Sequence, residues 1–163
     1  MISGFYVAAA IAVLSTAMAI TRTNAVHGLL YLIVSLLSVA VMFFILGAPF
    51  VAALEVIIYA GAIVVLFLFV VMMLNVGNIA TAQERRWLGE QVWRGPVLLC
   101  AVLFIEVAYS LWRQPAAVMG QPVVDPEQVG LALYGPYAAG VLLVSLLLLA
   151  GLVGAYHLGK REK

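Results

Sequence analysis

The fold is decided by residues 50–74, which read FVAALEVIIYAGAIVVLFLFVVMML and contain one ionisable acid, Glu55. A helix of about twenty apolar residues crosses the roughly 30 Å hydrocarbon core of a bilayer. The strands of a membrane barrel alternate in polarity over about ten residues, and this stretch does not alternate. Residues 50–74 therefore predict a membrane-spanning α-helix.

The rest of the chain shows the same pattern of long apolar runs. They predict further membrane helices at about residues 2–20, 25–46, 95–112 and 136–158. The short link at residues 47–49 makes the second and third helices antiparallel neighbours, whereas residues 113–135 contain three prolines and predict an extended loop. We therefore expect an all-α integral membrane protein with five transmembrane helices in a single domain, residues 1–163.

The composition of the 163-residue chain excludes several classes of function. Hydrophobic residues make up 66% and charged residues 9%, whereas soluble domains contain about 25% charged residues. A net charge of +1 gives no electrostatic reason to expect nucleic-acid binding. The single cysteine excludes a disulfide framework and a Cys-X-X-Cys metal site. His27 and His157 fall near helix ends, which are poor positions for a haem pair.

The basic residues predict how the chain is oriented in the membrane. Seven of the eight Lys and Arg residues fall on one side of the predicted spans, and only Arg113 falls on the other. Loops on the cytoplasmic side carry the excess of Lys and Arg. We therefore expect a periplasmic N-terminus, a cytoplasmic C-terminus and an outward-facing loop at residues 113–135.

Glu55 is the first candidate functional residue. It lies about five residues into the third helix, or ~8 Å from the end of the apolar run. A carboxylate in hydrocarbon costs at least ~2.5 kcal/mol, so the side chain should face the protein interior or a hydrated cavity. A group that alternates between charged and neutral forms can carry protons, although a protonated Glu bonded to a neighbouring helix would serve structure alone. Tyr59 is four residues on and shares its face.

The sequence Ala60-Gly61-Ala62 marks the middle of the third helix. Small residues there permit close packing of a neighbouring helix. They also permit a π-bulge, a local insertion that is common at functional sites and that turns the rest of the helix by about 100°. Such a turn would redirect the bulky residues 65–69 relative to Glu55. Both interpretations remain open on sequence alone, and the second predicts a hydrophobic gate for water.

Glu106 is a second acid inside an apolar run. It lies within two turns of the end of the fourth helix and seven residues before Arg113, on roughly the same face. Long side chains near a helix end reach toward the membrane boundary. We expect an acid paired near the outer boundary, with no assigned functional role.

Two segments resemble a known family. Residues 24–32, NAVHGLLYL, and residues 53–63, ALEVIIYAGAI, with its continuation to MMLN at residues 72–75, are similar to the subunit J family of bacterial proton-pumping NADH:quinone oxidoreductase, respiratory complex I. The mitochondrial counterpart of this family is subunit six. Residues 83–85, 95–96 and 135–137 also fit the bacterial form, so the resemblance covers essentially the whole chain.

The resemblance implies a subunit of the bacterial inner membrane that couples quinone reduction to proton translocation without a redox centre or bound cofactor of its own. NADH, FMN, iron–sulfur clusters and quinone would serve the parent complex, and the partners would be subunits A, H and K and the antiporter-like subunits. By position, it implies that Tyr59, Gly61 and Val65 lie at a π-bulge and that Glu55 lies beside a hydrated path. The alternatives are a cation/proton antiporter assembly without redox function and a passive scaffold.

Overall fold

The computed structural model describes residues 2–74, 90–112 and 123–160. Five helices in this part of the chain are long and apolar enough to cross a membrane, and it contains no strand. This result confirms the predicted all-α class with five membrane helices. The elements are α1 (Ile2–Thr21), α2 (Ala25–Ile45), α3 (Pro49–Glu55), a π-helical segment (Val56–Ile63), α4 (Val64–Leu74), α5 (Glu90–Trp112), α6 (Pro126–Tyr134) and α7 (Ala138–Gly159).

Helices α1 and α2 form a close antiparallel hairpin. The side chain of Asn24 caps α2 by accepting a hydrogen bond from the backbone N–H of Val26 at 2.9 Å, which satisfies one of the donors left unpaired at a helix start. A Cβ atom on Gly28 would lie 2.9 Å from the backbone oxygen of Ala19. The two backbones therefore approach each other to a distance that only glycine at residue 28 permits without a shift.

Hydroxyl groups line the interface of the α1–α2 hairpin. The Thr16 and Ser35 hydroxyl oxygens are 2.7 Å apart, and the Thr16 hydroxyl also donates to the carbonyl oxygen of Ala12 at 2.8 Å. Ser38 is completely buried and donates to the carbonyl oxygen of Val34 at 2.7 Å. Helices in lipid associate through close packing and such polar contacts, because hydrocarbon tails provide no hydrophobic driving force between them.

A tight turn joins α2 to the third membrane span, which consists of α3, the π-helical segment and α4 (residues 49–74). Gly47 has a φ of +83°, a conformation that other residues rarely adopt. Pro49 occupies the first turn of α3, where its missing N–H costs no helical hydrogen bond. The turn makes α2 and α3 antiparallel neighbours, as the short link predicts.

Helix α5 packs against the α1–α2 hairpin. Leu103 of α5 is buried together with Ile11 and Val34, and Leu99 packs against this cluster. The helix begins at Glu90, five residues before the start expected from the sequence, and it contains Pro96. Because the φ angle of proline is compatible with a helix, the helix continues through Pro96, although the missing N–H removes one backbone hydrogen bond.

Residues 124–160 belong to a second compact unit, separate from the unit that ends at Val123. The expectation of a loop through residues 113–135 is wrong for its last third, because Pro126–Tyr134 form helix α6. Pro126 lies at the first helical position, where proline favours rather than prevents a helix, and Glu127 follows in the first turn, which favours acids. The predicted residues 113–122 of that loop lie outside the described residues.

Candidate functional site in the third span

The middle of the third span is π-helical over Val56–Ile63. The backbone N–H of Val64, the next residue, donates to the carbonyl oxygen of Tyr59, five residues earlier. In an α-helix the partner would lie four residues earlier, so the segment contains wider turns. This agrees with the predicted π-bulge around Gly61.

Gly61 fits the wide turn because it has no side chain. A Cβ atom on Gly61 would lie 3.2 Å from the carbonyl oxygen of Val56, which is also five residues earlier. That distance is tight for a carbon next to an oxygen, and the oxygen belongs to the backbone and cannot rotate away. A larger residue at position 61 therefore crowds the π-helical geometry itself.

The four residues singled out from the sequence lie on or beside this segment. Glu55 is the last residue of α3, Tyr59 and Gly61 lie within the π-helical segment, and Val65 is the second residue of α4. The structure thus brings a carboxyl group, a phenol and a change of helix geometry into about ten residues of one span.

The π-helical segment contains no buried residue. Ala52 in α3 and Val64 in α4 are buried, so the third span is packed within this chain on either side of the segment. Glu55 is half-buried, whereas 47% of the Tyr59 surface and 44% of the Val65 surface are exposed. The candidate site therefore faces the surroundings of the chain more than its interior.

The carboxyl group of Glu55 has no hydrogen-bond or ion-pair partner among residues 2–74, 90–112 and 123–160. Tyr59 lies one turn away, but no hydrogen bond joins the two side chains in this part of the chain. The shared face of Glu55 and Tyr59 therefore does not produce a hydrogen bond between them within these residues. A carboxyl group at this depth in hydrocarbon requires a polar partner or water.

An apolar groove of about 410 Å³ lies next to the start of the π-helical segment. Ala52 and Val56 of the third span form one wall, and Leu103 and Phe104 of α5 form part of another. These side chains offer no hydrogen-bond partner, so water has no favourable site in the groove as it stands.

Three polar contacts elsewhere in the first unit were not foreseen from the sequence. The carboxyl group of Glu106 lies against Gly4 of α1. The partner predicted for it, Arg113, lies outside the described residues. The hydroxyl of Tyr31 lies against Gly95 of α5. The Tyr31 ring also contacts His27, with ring centroids 5.1 Å apart. The two contacts with glycines depend on helix-to-helix register, which a single sequence does not encode in a readable form, whereas His27 and Tyr31 lie four residues apart on one face of α2.

The described residues contain no group of three or more His, Cys, Asp and Glu residues that could hold a metal ion. The candidate site consists of one carboxyl group, one phenol and a π-helical backbone geometry in an apolar span. Such a set can bind and release a proton or order water, and it can change the direction of the side chains that follow.

Known proteins resemble this chain over nearly its full length. Residues 15–158 match the sequence profile of a family described as NADH-ubiquinone/plastoquinone oxidoreductase chain 6. The chain is 55% identical to NADH-quinone oxidoreductase subunit J of Pseudomonas aeruginosa over 159 residues, which cover 97% of this chain and 96% of that protein. It is 51% identical to the protein of the same name from Escherichia coli K12, over 98% of this chain and 86% of that protein. The similarly named protein of Rhodobacter capsulatus is 35% identical, over 98% of this chain and 81% of that protein.

Proposed function

Because the chain belongs to the NADH-ubiquinone/plastoquinone oxidoreductase chain 6 family and is a subunit of NADH-quinone oxidoreductase, we propose that its third span couples quinone reduction to proton translocation. The π-helical segment Val56–Ile63 is the element that changes conformation. Glu55, Tyr59, Gly61 and Val65 are the residues on which this coupling depends.

One observation carries the proposal: the π-helical segment directly follows the carboxyl-bearing residue Glu55 and contains no residue buried in its own chain. A segment packed tightly on all sides could not change its number of residues per turn without disturbing a core. This segment can do so at lower cost, because its own residues are exposed or only partly buried and the buried residues Ala52 and Val64 lie on either side of it. Two-state elements need a bias of only a few kcal/mol to switch.

The proposed change is a conversion between π-helical and α-helical geometry. Loss of one inserted residue turns the following helix by about 100°. Val65 and the apolar side chains after it would then point in a different direction relative to Glu55. In one of the two geometries, these apolar side chains exclude water from the surroundings of Glu55. In the other they point away, and water can reach the Glu55 carboxyl group and Tyr59.

The remaining roles follow from the family and from the predicted topology. We propose that this subunit carries no redox centre, so that NADH, FMN, the iron–sulfur clusters and quinone are handled elsewhere in the complex. Glu55 would meet its polar partner on a neighbouring membrane-arm subunit, among A, H, K and the antiporter-like subunits. The family implies a location in the bacterial inner membrane, and the distribution of basic residues favours a periplasmic N-terminus and a cytoplasmic C-terminus there.

Substitution of Gly61 by Val tests the proposal. The side chain would crowd the Val56 carbonyl oxygen and restrict the segment, so NADH-driven quinone reduction and proton uptake should fall several-fold. NADH-to-ferricyanide activity, which does not need the membrane arm to work, should stay within about twofold of the wild type.

The matched control is Gly140→Val in α7, where a Cβ atom meets nothing within 4 Å. Both variants are measured in membranes that contain equal amounts of assembled complex. Equal loss of quinone reduction and ferricyanide reduction in the Gly61 variant, or an unchanged rate of proton uptake, would contradict the proposal.

A further inference from the structure

Helix α5 presents one continuous stripe to the α1–α2 hairpin. Its members are Gly95, Leu99, Leu103 and Glu106, and their spacings of four, four and three residues place them on one face. Leu99 and Leu103 form the apolar middle of the contact with Ile11 and Val34. In lipid, these leucines pack equally well against acyl chains, so they do not by themselves fix where α5 lies.

Each end of the stripe carries a polar group seated against a glycine. At one end the Glu106 carboxyl oxygen lies so close to Gly4 of α1 that a Cβ atom there would overlap it. At the other end the Tyr31 hydroxyl of α2 lies against Gly95 of α5 with the same consequence. The glycines are on opposite partners, one on the hairpin and one on α5. The two contacts are eleven residues apart along α5, about 16 Å or three helical turns.

The surroundings of both polar groups favour these positions. Gly4 lies in the first turn of α1, where the backbone N–H groups carry partial positive charge and attract a carboxylate. Tyr31 is only 2% exposed, and its ring contacts both the His27 ring, 5.1 Å away between centroids, and the guanidinium carbon of Arg22, 5.3 Å from its centroid. Both groups are therefore oriented toward α5 or α1 by more than the contact itself.

We propose that Glu106 and Tyr31 are positioning residues that fix α5 on the α1–α2 hairpin, each through the absence of a side chain on its partner glycine. The contact holds α5 at both ends and sets its register along the hairpin. It thereby also sets the position of the Leu103 wall of the apolar groove. This role does not depend on how the third span couples quinone reduction to proton movement.

Two matched pairs of substitutions test the proposal in the assembled complex. Gly4→Ala places a methyl group where the Glu106 carboxyl group lies, and Glu106→Asp withdraws that group by one methylene. Gly95→Ala places a methyl group where the Tyr31 hydroxyl lies, and Tyr31→Phe removes that hydroxyl. Each glycine variant should speed the heat inactivation of quinone reductase activity roughly fivefold, the scale expected of overpacking. The Gly4→Ala/Glu106→Asp double variant should return most of the way to the wild type, and the Gly95→Ala/Tyr31→Phe double variant should return in part, because the ring carbon Cζ still lies 3.1 Å from the added methyl group.

Gly140→Ala in α7 is the control, because a Cβ atom there meets nothing within 4 Å and alanine is the better helix former. It should inactivate no faster than the wild type. If a double variant is no more stable than its glycine single variant, the positioning role of that polar group is overturned. A glycine variant that inactivates no faster than the control would overturn it as well. Because the readout is heat inactivation, failure of the coupling mechanism would leave this result unaffected.

Discussion

The α1–α2 hairpin and the π-helical segment of the third span lie in the same unit of the chain, yet their packing differs sharply. The hairpin contains a fully buried serine, Ser38, a hydroxyl pair at 2.7 Å and a backbone approach that requires Gly28. The π-helical segment has no buried residue and follows a carboxyl group without a partner in the described part of the chain. The hairpin is stabilised by contacts within the chain, whereas the π-helical segment is covered only in part by its own chain.

Because of this difference, we expect substitutions in the hairpin and substitutions in the π-helical segment to cause different defects. In the hairpin, a changed side chain meets atoms of its own chain, so we expect defects in stability and assembly. In the π-helical segment and at Glu55, a changed side chain meets mainly its surroundings, so we expect defects in coupling while the subunit still assembles. The following predictions test that division, from the largest effect to the smallest.

The largest effect is expected from Gly28→Val. Its Cβ atom would approach the backbone oxygen of Ala19 to 2.9 Å, and neither backbone can yield without separating α1 from α2. Overpacking of this kind costs about 1–3 kcal/mol. The amount of assembled complex, measured as NADH-to-ferricyanide activity in membranes, should fall clearly. Gly154→Val in α7, where a Cβ atom meets nothing within 4 Å, should assemble normally. Normal assembly of the Gly28 variant would contradict the expectation that substitutions in the hairpin impair assembly.

An intermediate effect is expected at Glu55, and it should appear in coupling alone. Glu55→Ala removes a hydrogen-bonding group worth about 1 kcal/mol, which corresponds to roughly a fivefold fall in the rate of quinone-linked proton uptake. Glu55→Gln keeps a neutral polar group of the same size, so its loss should stay below about twofold. The measurement is quinone-linked proton uptake at matched ferricyanide activity. If Gln is as damaging as Ala, proton exchange at the carboxyl group is the better explanation.

The smallest effect is expected from Thr16→Val in the hairpin. The substitution removes the hydrogen bond to Ser35 and keeps the size and branching of the side chain, while Ser35 still donates to the carbonyl oxygen of Ala12 at 3.3 Å. Interhelical hydrogen bonds in membranes contribute about 0.6 kcal/mol. The rate of heat inactivation should rise less than threefold. Ser145→Ala, which removes an exposed hydroxyl bonded within α7, is the control and should leave it unchanged. A loss of coupling without a change in stability would place Thr16 with the third span instead.

The membrane spans could be predicted from the sequence because charge is nearly absent from them, and five of them are found. Ala60-Gly61-Ala62 permits the π-helical geometry, since small residues allow wide turns, but it permits close helix packing equally well, and it is the family resemblance that implies the π-bulge. Helix α6 was not predicted, because Pro126 was interpreted as a helix breaker although it occupies the first helical position. The contacts of Glu106 with Gly4 and of Tyr31 with Gly95 were not predicted either. They depend on how far one helix slides along another, and a difference of one residue would move each polar group off its glycine.

The turn at Gly47 gives the third span a mechanical asymmetry. Its left-handed backbone and Pro49 join α3 to α2 with almost no slack, and the buried Ala52 lies in the next turn. The start of the third span is therefore held in place next to the end of α2. If the π-helical turns tighten as proposed, the short turn at Gly47 opposes rotation of α3, and the change of direction falls on the residues after Val64. Under the proposed coupling, rotation would therefore pass along the span in one direction, from Glu55 toward Leu74.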